Sequence, residues 1–382
     1  MSQPLPDAVA MLESLERAGG RIVLVCAGGG SAAAAHLLTT PGSSSVLVEC
    51  LLPSAREAID AWLGGPQEGY CSSRAARRLA VMAWQRARRL GAPPQAAVGA
   101  AATASLKTRA PKRGRHRVFV AVQTIAATSL ATLVLRTDAR TRAEEEALAA
   151  ALLLDRVATH VTGDSVRCPL SLFDDETVVI ERHEAPPEWR QLLSGERDAA
   201  SVGGPVDRPA AGLVVFPGSF DPLHEGHLRM AVIAQEIAER PLDFELSVVN
   251  VDKPALDYIE MRDRATQFAG RRLWLTRAAT FLEKLDVFPE GTFVMGADTF
   301  ARLADPRYYG GSAEAAERAA HRIAGQARGL IVFGRERGGV FEDPALLDVP
   351  RVLREVAYFV SPREFRLDIS STELRRRRDF AE

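Results

Sequence analysis

Cysteine is scarce in this 382-residue chain. Cys26, Cys50, Cys71 and Cys168 are widely scattered and form no Cys-x-x-Cys pair. That argues against both a zinc site and a disulfide framework and fits a reducing cytosol. Lysine is equally sparse: with only Lys107, Lys112, Lys253 and Lys284, nearly all positive charge is arginine, which reads as coding bias. Charge of either sign is not in excess, the formal net charge being -1, so nucleic acid is not expected as the main partner. No apolar run approaches the roughly 20 residues that span a bilayer. The N-terminus lacks a basic segment ahead of a continuous apolar core. A cytoplasmic protein with no membrane partner is therefore expected, and homo-oligomerisation is left open. No internal repeat is evident.

The length suggests two or three domains at roughly 150 residues each. The run Ser201-Val202-Gly203-Gly204-Pro205-Val206-Asp207-Arg208-Pro209 is polar, rich in Gly and Pro and without periodicity, so it reads as linker. Pro187 to Leu193 reads as a short helix before it. The expected division is 1–163, a linker with short elements over 164–208, and 209–382. In the last part, strand patterns near 212–216, 245–251, 272–277, 292–297, 330–334 and 356–360 alternate with helical ones. Such alternation predicts an α/β fold with a doubly wound parallel sheet.

The most informative stretch is Gly218-Ser219-Phe220-Asp221-Pro222-Leu223-His224-Glu225-Gly226-His227, directly after the apolar run Gly212 to Phe216. The apolar run reads as a buried strand. Gly226 to Arg240 reads as an amphipathic helix with Leu228, Val232, Ile233 and Ile237 near one face. Both histidines then sit where a strand turns into a helix N-terminus, a place that favours phosphate. Their three-residue spacing puts both rings on one side of a helical turn, from which two imidazoles can donate to a phosphate gaining charge.

This decad resembles the HxGH signature of the nucleotidyltransferase superfamily, whose members join a nucleotide to a phosphorylated or acidic acceptor and release pyrophosphate. Three further blocks follow in that family's order. Gly291 to Asp298 is a strand ending in a carboxylate. It resembles the Gly-x-Asp…Phe element of nicotinamide/nicotinate mononucleotide adenylyltransferases, although their usual following Trp is replaced by Arg307-Tyr308-Tyr309. Leu330 to Gly334 delivers Arg335, matching the family's strand-end arginine. Asp368-Ile369-Ser370-Ser371-Thr372-Glu373-Leu374-Arg375 resembles the superfamily's Ile-Ser-Ser/Thr-x-x-x-Arg motif. Ser370 with Glu373 also fits a capping box, so a helix start is expected there.

The resemblance implies a Rossmann-like domain that transfers AMP from ATP to nicotinamide or nicotinate mononucleotide. His224, His227 and Arg375 would act on the reacting phosphates. Gly218, Ser219 and Phe220 would bring backbone close to the nucleotide, Asp298 and Arg335 would orient it, and Ser370, Ser371 and Thr372 would hold its β and γ phosphates. Asn250, Asp252 and Lys253 follow the second strand, where relatives contact the acceptor. Magnesium would arrive with ATP, because no dedicated metal cage is visible. CTP, another phosphorylated acceptor, and a non-catalytic pyridine-nucleotide sensor are the alternatives.

The N-terminal part has its own pattern. The strand Ile22 to Val25 leads into Gly28-Gly29-Gly30-Ser31 and an Ala-rich helix to Leu38. Further on come the strand Ser45 to Leu52, helices ending at Gly64 and spanning Ser72 to Leu90, and the basic loop Lys107 to Arg117. The triple glycine does not supply Gly-x-Gly-x-x-Gly spacing. The order resembles the CinA-type C-terminal domain, which includes nicotinamide-nucleotide amidases, and implies an α/β domain. Active members carry a nucleophilic Ser in a Glu-Ser-Cys-Thr-Gly-Gly loop. Registered on Pro41-Gly42, which the family shares, that Ser falls on Ala27, and the family's Tyr and Lys fall on Ser54 and Ile59. None of these supplies the required nucleophile and base, so a degenerate amidase domain is expected. The basic loop occupies the place of the family's Gly-rich substrate loop, where residual binding of a phosphorylated nucleotide is an open reading.

Overall fold

The computed structural model describes residues 5, 7–110, 112, 114–163, 170–203, 208–250, 253–337 and 340–365, with backbone alone at 335–337 and 340. The chain divides into two compact units. Unit 1 comprises Met1–Arg190 with Asp252–Glu260; unit 2 comprises Gln191–Val251 with Met261–Glu382.

Unit 1 runs α1 (Ala8–Arg17), β1 (Arg21–Ala27), α2 (Ser31–Leu38), β2 (Leu47–Leu51), α3 (Arg56–Leu63), α4 (Ser73–Arg89), β3 (Ala97–Ser105), β4 (His116–Gln123), β5 (Ala127–Leu135), α5 (Arg142–Thr162) and β6 (Val178–Glu184), followed by α6 (Pro187–Ser194). Its sheet has the order β2-β1-β3-β4-β5-β6. β1 is parallel to β2 and β3, and the remaining pairs are antiparallel. Six consecutive residues of β1, Ile22 to Ala27, are buried, the signature of a strand covered on both faces. One face packs on α5 through Ile22, Leu24, Val98, Val120, Leu148 and Leu152. On the other face α4 approaches so closely that a Cβ on Gly99 would lie 2.0 Å from the Ala80 carbonyl oxygen and 2.2 Å from the Trp84 nitrogen.

The segment 253–260 is fixed within this unit by polar contacts. The Tyr258 N–H donates to Thr128 Oγ1 (3.0 Å) and its hydroxyl to the Ile125 carbonyl (2.8 Å). Buried Asp257 accepts from the Glu260 N–H (2.9 Å), capping the helix that starts at Tyr258, and lies 3.4 Å from Arg77 Nε.

Unit 2 contains β7 (Ala199–Val202), β8 (Val214–Pro217), α7 (Glu225–Ala238), β9 (Leu242–Ser247), the helix α8 (Tyr258–Ala265), β10 (Leu273–Thr276), α9 (Phe281–Val287), β11 (Thr292–Gly296), α10 (Ala297–Arg302), α11 (Ala313–Gln326), β12 (Gly329–Phe333), the hairpin β13 (Arg335–Arg337) and β14 (Val340–Glu342), α12 (Arg351–Glu355) and β15 (Ala357–Val360). The sheet order is β15-β12-β11-β8-β9-β10-β7, parallel except for the antiparallel edge pair β10–β7. Setting β7 aside, the six parallel strands follow the 3-2-1-4-5-6 order of dinucleotide-binding sheets, and the order reverses between β8 and β11. The doubly wound, largely parallel architecture is thus as expected.

Three local expectations differ from the structure. Ser201 and Val202, read as the start of a linker, close β7, and β6 in the same stretch pairs with β5. The strand expected at 245–251 lies at 242–247, as β9. Its early part was obscured by charges that the core satisfies: Trp274 Nε1 donates to Asp243 Oδ2 (2.9 Å), and Lys284 Nζ sits 2.8 Å from both oxygens of Glu245. Lys284 and Glu245 are both buried. Finally, α7 buries the small residues Gly226, Ala231 and Ala234, while Val232 is 51% exposed. Small side chains let this helix lie close to the sheet, so the larger aliphatic ones ride at its flanks.

Candidate active site

The site is built where β8 ends. Val214, Val215 and Phe216 are buried, and the Gly218 N–H donates to the Glu245 carbonyl (3.0 Å), pinning the strand end to β9. The chain then folds over one aromatic plug. Phe220 is fully buried with φ +44°, a left-handed conformation costly for a bulky residue and maintained by surrounding packing. Its ring meets Phe216, Phe244, Phe268 and His227 edge-on, with centroids 5.1–5.5 Å apart. A Cβ on Gly218 would lie 2.5 Å from that ring, which explains the glycine. The side chain of Phe220 therefore belongs to the core, leaving only its backbone for a ligand. The preceding Ser219 is exposed, and the Asp221–Pro222 peptide is cis.

Two residues outside the motif hold the loop. Arg264 Nη1 donates to the Ser219 carbonyl (2.8 Å), and its Nη2 lies 3.5 Å from Asp221 Oδ2. Gln267 Oε1 accepts from the Leu223 N–H (2.7 Å), while its Nε2 donates to the Phe220 carbonyl (3.4 Å). Neither residue stands out in the sequence. An Arg near the end of a polar helix and a Gln in the turn that follows are too common a pair to mark a site.

His224 occupies the N-cap of α7 and His227 its first turn. Their rings stack 3.7 Å apart at 20°, as the three-residue spacing predicts. His227 Nδ1 accepts from the His224 N–H (3.3 Å). That bond assigns the neutral tautomer with its proton on Nε2, leaving a donor for a ligand. Gly226 is explained by the same stack: a Cβ there would lie 3.0 Å from His224 Nδ1. His224 Nδ1 is buried without a hydrogen-bond partner. Burial, reinforced by His224, pushes the His227 pKa down to about 3, and burial also lowers that of His224. Both rings are neutral near pH 7 and poised to donate to an anion at the helix start.

Asp298 lies in the first turn of α10, directly after β11. The cap position is held by Gly296, so Asp298 is not the helix N-cap. β8 and β11 are parallel neighbours, with Val214 opposite Thr292 and Val215 opposite Phe293. The histidine loop and Asp298 thus leave the same edge of the sheet, on the two sides of the order reversal, where open α/β sheets bind ligands. Arg335 also follows the end of a parallel strand, but it opens the β13–β14 hairpin. Gly334 just before it is pressed against Phe341, whose ring would lie 2.1 Å from an added Cβ. Asn250 is exposed beyond β9, whereas Lys253 falls in the segment belonging to unit 1. Asp252, Ser370, Ser371, Thr372 and Arg375 lie outside the described residues. Among the described residues, no group of three or more His, Cys, Asp or Glu side chains is placed to hold a metal ion, and no helix is long and apolar enough to cross a membrane.

In unit 1, where Ala27, Ser54 and Ile59 were expected to replace amidase residues, Ala27 and Ile59 are buried and Ser54 is exposed. The glycine loop is filled by the chain itself: the Glu146 carboxylate accepts from the Gly30 N–H (3.0 Å), Ser31 Oγ (2.7 Å) and the Ala32 N–H (3.2 Å). In the basic loop, Lys107 Nζ bonds the Arg140 carbonyl (3.3 Å), and Lys112 Nζ bonds Ser105 Oγ (2.8 Å) and the Leu106 carbonyl (2.6 Å). His116 is buried against Glu145, with Nδ1 2.5 Å from its carboxylate.

Residues 215–377 match the family described as Cytidylyltransferase-like. The C-terminal part of this chain is accordingly a cytidylyltransferase-like domain of the HxGH nucleotidyltransferase type. No curated protein matches the chain. The N-terminal region is structurally similar to solved proteins of the CinA superfamily. A competence-damaged protein (CinA) superfamily member from Escherichia coli is 18% identical, with 39% of this chain and 86% of that one covered and a TM-score of 0.34. The competence/damage inducible protein CihA from Agrobacterium tumefaciens is 19% identical, with 41% and 97% covered and a TM-score of 0.32. A CinA superfamily protein from Enterobacter cloacae is 14% identical, with 42% and 95% covered and a TM-score of 0.34.

Proposed function

We propose that the C-terminal domain is an adenylyltransferase that joins AMP from ATP to a pyridine mononucleotide, nicotinamide or nicotinate mononucleotide, and releases pyrophosphate. The observation that carries the reading is the stacked, neutral His224–His227 pair at the start of α7, beside the reversal of strand order. An acceptor phosphate oxygen attacks the α-phosphorus of ATP. The bond from that phosphorus to the oxygen bridging the α and β phosphates breaks, and pyrophosphate leaves with the electron pair. The acceptor is already an anionic nucleophile, so no covalent intermediate is needed. Catalysis rests on positioning and on donors aimed at oxygens that gain charge. His227 Nε2–H is such a donor, and the first-turn amides of α7 add the helix N-terminal field. Asp298, on the other side of the reversal, is suited to ribose hydroxyls or a base edge. Magnesium enters with the nucleotide phosphates.

The choice of ATP and of the pyridine acceptor rests on the resemblance of the Gly291–Asp298 block. The test is pyrophosphate release with magnesium, pairing ATP or CTP with nicotinamide mononucleotide, nicotinate mononucleotide and other phosphorylated acceptors. Release with ATP and a pyridine mononucleotide is expected. His227→Ala should lower turnover roughly 10²- to 10³-fold while nucleotide binding largely survives. Release with CTP alone would keep the chemistry and move the substrate; binding without release from any pair would make the domain a sensor.

We further propose that unit 1 is a retired amidase. Ala27 and Ile59 offer neither nucleophile nor base, and Glu146 fills the glycine loop with a carboxylate.

A further inference from the structure

The loop that leads into the histidines has no regular hydrogen-bonded structure of its own. Between Gly218 and His224 the backbone lies in neither strand nor helix, and Phe220 sits in a left-handed conformation. Three of its main-chain groups are instead engaged by side chains from one place: the Ser219 carbonyl by Arg264, and the Phe220 carbonyl and Leu223 amide by Gln267. Arg264 closes α8 and is only 7% exposed; Gln267 is in the helical turn that follows. Burying a guanidinium is costly unless it is paired and hydrogen-bonded. This one faces Asp221 of the same loop at 3.5 Å. Gln267 is in turn braced, its Nε2 also donating to the Asp263 carbonyl (3.2 Å).

Resting on the nucleotidyltransferase reading for its catalytic consequence, we infer that Arg264 and Gln267 are positioning residues for the His224–His227 pair. They act through the backbone of residues 219–223 rather than by touching substrate. The Leu223 amide held by Gln267 immediately precedes His224, whose own amide orients His227 Nδ1. A chain of two hydrogen bonds therefore runs from Gln267 to the imidazole that presents Nε2–H. Gln and Arg suit these tasks because each must serve two loop groups at once. Gln accepts from an amide while donating to a carbonyl; Arg donates to a carbonyl while neutralising a carboxylate.

The pair is separable by substitution. Gln267→Leu keeps the volume but strands both loop groups. Gln267→Glu still accepts from Leu223 and loses the donation to Phe220, so it should recover part of the effect. Arg264→Lys keeps the charge beside Asp221 without the planar fork. Two readouts are needed. The first is independent of turnover: amide hydrogen exchange over residues 219–228, with the imidazole pKa of His227 followed by NMR on labelled histidine. Gln267→Leu is expected to raise exchange at Leu223 and His224 at least tenfold, and to bring the His227 pKa back toward its ordinary value, while β8, β9 and β11 stay protected. The second is kinetic: turnover should fall 10- to 100-fold with the nucleotide KM changed less than threefold, and Gln267→Glu should lie between. Unchanged exchange and an unchanged His227 pKa in both Gln267→Leu and Arg264→Lys would overturn the inference, whatever the turnover. Should Gln267→Leu expose β8 as well, Arg264→Lys and Gln267→Glu decide on the same readouts. An inactive wild type would count against the nucleotidyltransferase reading alone, because the exchange and NMR results stand without it.

Discussion

His227 is the residue on which the proposed chemistry turns, and its environment makes a testable statement about pH. Burial and the neighbouring His224 hold its pKa at about 3, against an ordinary 6.5. The unfolded chain therefore binds more protons than the folded one between those values, and stability rises with pH across that window. Unit 2 should lose stability as pH falls from about 6.5 toward 3, and His227→Ala should flatten that slope. Denaturant midpoints measured between pH 7 and pH 5 check it; an equal slope in wild type and variant would contradict the assignment. Ligand binding works in the opposite direction. An anion against the imidazole favours its charged form, so nucleotide binding should take up protons, as calorimetry in buffers of different ionisation enthalpy would register. The motif glycines are equally legible in physical terms, Gly218 beneath the Phe220 ring and Gly226 beneath His224.

At the scale of elements, most of the fold could be read from sequence because its parallel strands are short apolar runs separated by helical patterns. Two of the three differences have related causes. Buried polar residues satisfied by distant partners, Asp243 by Trp274 and Glu245 by Lys284, look like solvent-facing ones in a sequence. The stripe on α7 failed for a related reason: close packing was achieved with Gly226, Ala231 and Ala234, whose hydrophobic signal is weak. Gly99 shows how tight such packing can be. An added methyl would meet the backbone of α4 rather than a side chain that could rotate away. Gly99→Ala should destabilise unit 1 by about 1–3 kcal/mol or more, read as a lowered melting transition; an unchanged transition would mean that α4 can retreat from β3 at little cost.

For the whole molecule, the order of strands rather than any single motif brings the site together. His224 and Asp298 are 74 positions apart in sequence, yet they follow adjacent parallel strands on the two sides of one reversal. Motif order hinted at this, whereas Arg264 and Gln267 could be found only in three dimensions, because their partners are backbone groups that carry no residue identity. In unit 1 the proposed loss of amidase activity rests on Ala27, Ser54 and Ile59, which are legible in the sequence, whereas the occupation of the glycine loop by Glu146 is not. No ammonia release from nicotinamide mononucleotide by the purified protein is expected. Release that is abolished by Ser31→Ala would show that Ser31 has taken the nucleophile's place.

Nucleotidyl transfer by this domain is tested most directly by following the phosphorus atoms. With ATP labelled at the α-phosphorus and a pyridine mononucleotide acceptor, the label should appear in a dinucleotide while the released pyrophosphate stays unlabelled, and His227→Ala should suppress both products together. Transfer of the γ-phosphorus to the acceptor, or tight nucleotide binding with no movement of label under any acceptor, would contradict nucleotidyl transfer by this site.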